Sequence, residues 1–134
     1  MKQIITAKLK LHTDKAQFAA LRATQLAYRA ALNHVSQYSF AHGKMSNQIR
    51  LRDATYHEIR ARYGLPAQMA TNVPRQVGAT YKGLWTKWYK NVEARKAGWT
   101  KKRFKGLDKP PDSSLAHAQL CLRTRLHWSS PQAA

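Results

Sequence analysis

NVPRQVGATYKGLWTKWYKNVEARKAGWTKKRFKG, residues 72–106, is the stretch from which the fold can be worked outward. Val77, Tyr81, Leu84 and Trp88 recur at i, i+4, i+7 and i+11, one face of a 3.6-residue period, and predict a long amphipathic helix. Asn72 is the expected cap, which places Pro74 in the first turn, where a missing N–H is harmless. A short helix over 66–71 is expected ahead of it, separated from it by Pro74. Arg75, Lys82, Lys87, Lys90, Arg95 and Lys96 lie off the apolar face, and Gly98 ends the pattern as a C-cap. Lys101, Lys102, Arg103 and Lys105 follow, with Trp99 and Phe104 among them. Such a stretch docks on a core by one face and offers cations to phosphates with the other. An ordinary solvated amphipathic helix fits the same residues, and for a lone basic helix that reading is favoured. Trp99 and Phe104 are either base-stacking groups or core anchors.

The balance of charge tips the choice. Across 134 residues, 24 Lys+Arg face 6 Asp+Glu, a formal net of +18. This excess points to a polyanionic partner such as DNA, RNA or anionic lipid, and opposes folding by self-repulsion. The length suits one small domain. The 43% hydrophobic content is that of a globular chain. A single cysteine, Cys121, excludes an internal disulfide framework. No apolar run approaches the roughly 20 residues of a transmembrane helix, and the start MKQIITAKLKL does not read as a signal peptide. The expectation is a cytoplasmic protein with no membrane partner.

Earlier in the chain, Lys2 to His12 alternates with β-branched residues and predicts a half-buried strand, whose partner must lie far along the sequence. Asp14 with Gln17 three residues on predicts a capping box, and a helix then runs to about Ala41 with Gly43 as its stop. Phe18, Leu21, Gln25, Tyr28, Leu32 and Val35 make its seam. Phe18, Leu21, Tyr28, Leu32, Ile59, Val77, Tyr81, Leu84 and Trp88 are expected to pack together. Residues 44–52 read either as extended chain or as the first turns of a helix. Asp53 is the expected cap of a short helix over Ala54 to Arg62, with Tyr56, Ile59 and Tyr63 as its apolar stripe and Gly64 as its end. Trp99 to Leu107 reads as extended and as the partner of the first strand. Asp108-Lys109-Pro110-Pro111 breaks the chain.

Chemistry-bearing motifs are scarce. There is no Walker A loop, GxGxxG, HExxH or CxxC pair, and no nucleophile motif. Asp14 and Asp53 read as caps, Glu58 and Glu93 as partners of Arg62 and Lys96. His117, Cys121 and His127 match no standard zinc spacing, so neither a metal site nor a cofactor is expected. No set of carboxylates assembles into a two-metal site, so the chain is not expected to be an enzyme.

The succession TAKLKLHTDKAQ, YHEIRARYGLPAQMA, NVPRQVGATYKGLW and KKRFKGLDKPP resembles the N-terminal portion of the TnpB (OrfB) family. These are insertion-sequence transposase-associated proteins, RNA-guided DNA endonucleases related to type V CRISPR effectors. The resemblance spans Met1 to about Pro111. It implies an α+β, mainly α fold, in which a helical recognition lobe (13–98) is inserted into an incomplete oligonucleotide-binding-like β wedge (1–12 and 99–111). It also implies binding of a guide RNA scaffold and of DNA. The candidate contacts are Arg75, Lys82, Lys87, Lys90, Arg95, Lys96, Trp99, Lys101, Lys102, Arg103, Phe104 and Lys105. The family's RuvC-like nuclease and zinc ribbon have no counterpart here, and residues 112–134 depart from the family. The expectation is a truncated product with an out-of-frame tail. The competing reading is a stand-alone basic helical DNA- or RNA-binding regulator or assembly protein.

Overall fold

The computed structural model describes residues 12–112. The predicted first strand and the tail from 113 onward, with His117, Cys121 and His127, lie outside the described residues. Three helices follow in order: α1 (Lys15–Ala41), α2 (Gln48–Tyr63) and α3 (Ala67–Lys96). The fold is mainly helical, and no strand is present among the described residues.

The start of α1 is set as its sequence implies. The Asp14 backbone N–H donates to Gln17 Oε1 at 3.1 Å, and Asp14 C=O takes the first helical bond from Phe18. Its end is also legible: after the His42 cap, Gly43 and Lys44 both adopt positive φ and turn the chain. Helix α2 begins earlier than expected. Asn47, not Asp53, is the cap, its Oδ1 accepting from the N–H groups of Ile49 (3.0 Å) and Arg50 (3.2 Å). Asp53 sits inside the helix and instead binds the Arg52 guanidinium. The early start brings Leu51 and Thr55, both fully buried, onto the same apolar side as Ile59. Gly64, left-handed at φ 60°, closes the helix.

Helix α3 corrects the largest expectation. It is one continuous helix capped at Pro66, and Asn72 is an interior residue rather than a cap. Pro74 lies inside it, with its ring fully buried. An interior proline forgoes one backbone bond and costs about 3 kcal/mol in an isolated helix. Here Val73 and Val77, on either side, are buried against the neighbouring helices, and that packing carries the helix through.

The core is built from Tyr28, Ala31, Leu32 and Val35 of α1, Leu51 and Ile59 of α2, and Ala70, Val73, Val77 and Tyr81 of α3, with Leu65 and Leu107. Leu84 and Trp88 pack at its edge, as their phase implied. Phe18 and Leu21 do not join it. They are 60% and 46% exposed, because α2 and α3 reach α1 only from about Ala27 onward.

Polar tethers join the helices to one another and to the connecting segments, among them Tyr28 Oη, which donates to Gln76 Oε1 at 3.0 Å. Tyr81 Oη donates to Ser36 C=O at 2.8 Å, and Ser36 Oγ donates to Pro111 C=O at 2.8 Å. Burial pushes the Tyr81 phenol pKa above its ordinary 10.0. Trp85 Nε1 donates to Lys44 C=O at 3.0 Å, holding the α1–α2 turn against α3. Gly78 lets the start of α2 approach closely. A Cβ there would stand 2.8 Å from Gln48 Cγ and 3.0 Å from the Ser46 oxygen.

Candidate nucleic-acid interface

The first half of α3 is embedded between α1 and α2. The second half, from about Lys82, carries its cations outward. Lys82, Lys87, Lys90, Arg95 and Lys96 are all exposed. At about 100° per residue, Lys82 and Lys87 stand roughly 140° apart around the axis. The cations therefore spread over a wide arc of the arm's exposed side rather than forming a single stripe.

The chain then reverses. Gly98 at φ 78° follows the Ala97 cap. Trp99 N–H bonds to Ala94 C=O at 2.9 Å and Gly98 N–H to Arg95 C=O at 3.2 Å, the paired bonds of a Schellman motif. The exit segment 99–111 runs back along α3. It is irregular rather than the strand expected from its sequence, and Asn91 fastens its first part to α3, while Leu107 and Pro111 hold the rest against the core and α1. The Asn91 amide donates through Nδ2 to Lys102 C=O at 3.0 Å and accepts at Oδ1 from Phe104 N–H at 3.0 Å. One side chain thus supplies both the donor and the acceptor that a neighbouring strand would otherwise provide.

Phe104 is half-buried against the core with its ring over Gly106, where a Cβ would collide with it. Of its two sequence readings, core anchor or stacking group, this is the anchor. Trp99 is 85% exposed. Lys101, Lys102, Arg103 and Lys105 are exposed, and Arg103 binds Asp108 Oδ1 at 2.6 Å. Arg95, Lys96 and Lys101 meet around a recess of ≈ 430 Å³ completed by Val92 and Thr100.

Arg75 stands apart from this group. It lines a separate cleft with Gln48, Ile49, Arg52 and Thr71, where α2 meets the embedded half of α3. The distance along the axis from Arg75 to Lys90 is about 22 Å at 1.5 Å per residue.

Among the acids, Glu58 departs in part from its expected pairing. His34 Nε2 is its nearer partner at 3.2 Å, with Arg62 at 4.0 Å. Glu93 makes no ion pair with Lys96 or any other described residue. Within the candidate contact set, Arg103 is the cation with an acidic partner among the described residues.

Asn91 was not legible as a site residue. It carries no sequence signal, since Trp88, Tyr89 and Val92 beside it are no better helix formers than asparagine. Among the described residues, no helix is long and apolar enough to cross a membrane. No family model, curated protein or solved structure matches this chain.

Proposed function

We propose that this chain is a TnpB-like nucleic-acid-binding protein whose α3 arm and exit segment grip the phosphate backbone of structured RNA. On this reading the helices are the recognition lobe, and residues 1–12 and 99–111 belong to the β wedge into which the lobe is inserted. The guide-type RNA scaffold is the principal partner and DNA the weaker one.

The observation that carries the reading is the arm itself. It places Lys82, Lys87, Lys90, Arg95 and Lys96 around a helix that projects from the core, with Lys101, Lys102 and Lys105 alongside, none of them neutralised by an acid among the described residues. A helix whose exposed side carries cations over a wide arc, away from the face that Leu84 and Trp88 turn to the core, suits a cleft between two phosphate backbones better than a flat surface. The order of the motifs that resemble the TnpB family and the net charge of +18 support the same reading.

The test is salt-dependent binding. Each phosphate neutralised adds about 0.7 to 0.9 to the slope of log affinity against log salt. Replacing Lys101, Lys102 and Arg103 together with Ala is expected to lower that slope by roughly 2 to 3 for a folded RNA. An unchanged slope moves the interface off the exit segment. Tighter binding to duplex DNA than to structured RNA overturns the proposed partner in favour of a DNA-binding regulator.

A further inference from the structure

Trp99 is the most exposed large apolar side chain on the described surface, at 85%. Its position makes that exposure informative. It is the residue after the left-handed Gly98, and in a Schellman motif that residue commonly packs back against the last turn of its helix. Here both backbone bonds of the motif are made, and the indole nevertheless faces solvent. The backbone is held on the other side as well, because Asn91 fastens Lys102 and Phe104 a few residues on. Trp99 is thus an aromatic surface on a hydrogen-bonded backbone turn, with its indole exposed among the described residues. Arg95, Lys96 and Lys101, close to it along the chain, line a recess that the next residue, Thr100, helps to complete.

We propose that Trp99 is a stacking platform for an unpaired RNA base, with the flanking phosphate seated in the Arg95–Lys96–Lys101 recess. This rests on the nucleic-acid reading above and narrows it. A paired base within a helix has both faces covered by its neighbours, so a protein indole reaches only a base that is bulged, looped or terminal. Stacking is tolerant of base identity, and the cations supply the attraction that brings the strand to the indole. Mounting on a fixed backbone lowers the ordering cost of the contact.

The experiment compares two RNAs that differ only in one unpaired nucleotide: a fully paired hairpin stem and the same stem with a single-base bulge carrying 2-aminopurine. Wild-type protein is expected to bind the bulged stem more tightly and to quench the 2-aminopurine fluorescence. Trp99→Ala is expected to weaken bulged-stem binding roughly 5- to 150-fold, the range spanned by measured base–aromatic stacking contributions, and to abolish the quench. Binding to the paired stem and the salt slope are expected to stay as in wild type, and Trp99→Phe to keep most of the quench. Equal loss on both stems, or no loss on either, overturns the platform while leaving the phosphate interface standing. Failure of wild type to bind either stem overturns the nucleic-acid reading itself. Trp99-dependent binding to anionic phospholipid vesicles in place of RNA assigns the indole to a membrane surface and also overturns the proposal. Circular dichroism of each variant checks that the helices are intact.

Discussion

Tyr81 ties α3 to α1 at a point where the exit segment is also held. Its ring is fully buried and its hydroxyl binds the Ser36 carbonyl, while the Ser36 hydroxyl binds the Pro111 carbonyl, so α3, α1 and the exit segment are linked through Ser36. Tyr81→Phe is expected to cost about 1 kcal/mol at neutral pH, since the Ser36 carbonyl loses its phenolic donor. The pH dependence has a definite sign. Burial raises the phenol pKa in the folded state, so as pH climbs past the ordinary value of 10.0 the unfolded chain releases this proton before the folded one does. The stability is complete below about pH 10 and is lost as pH rises toward the folded pKa. Denaturant titrations at pH 8 and pH 11 are expected to show wild type losing more stability than Tyr81→Phe across that interval. Tyr81 was legible in the sequence because it repeats with Val77 at helical spacing. Asn91 was not, because a side chain that binds backbone eleven and thirteen residues away leaves no periodic trace.

At the scale of the helix, α3 holds two glycines with opposite consequences. Gly78 is a contact point with α2, whereas nothing lies within 4 Å of the Cβ position at Gly83. Alanine improves helix propensity at both sites by roughly 0.5 to 1 kcal/mol. Gly83→Ala is therefore expected to raise the thermal midpoint. Gly78→Ala is expected to lower it, because its Cβ meets the Ser46 backbone oxygen and the α2 start must shift, at a cost of about 1 to 3 kcal/mol. Calorimetry of the two variants checks the sign of each. The same helix shows where sequence reasoning gave out. Its C-terminus was legible in Gly98, a local signal. Its N-terminus was not, because Pro74 reads locally as a boundary and only its burial between α1 and α2 explains why the helix passes through it. Asp53 misled in the same way, its capping chemistry being available but Asn47 standing six residues earlier in a position that also buries Leu51.

The described residues form a helical junction from which two arms extend. One is the apolar first half of α1, where Phe18 and Leu21 continue the seam past the end of the core. Sequence period shows which face of a helix is apolar but not how far its partners reach, so this exposure was invisible beforehand. The other is the cationic second half of α3 with its returning strap. That strap brings together four basic residues, Lys101, Lys102, Arg103 and Lys105, on chain that belongs to no helix. Most of the other described lysines and arginines lie inside helical turns, whose backbone must locally melt before a protease can accommodate it. Trypsin is therefore expected to nick the free protein first within 101–105, among the described residues, in the stretch held mainly by the two Asn91 bonds. On the proposed reading, the side chains that a phosphate would cover are the ones the protease must recognise, so added structured RNA is expected to slow cleavage within 101–105. The cleavage rate of the strap would then report the fraction of protein carrying RNA, and an unchanged rate at saturating RNA counts against the proposed interface.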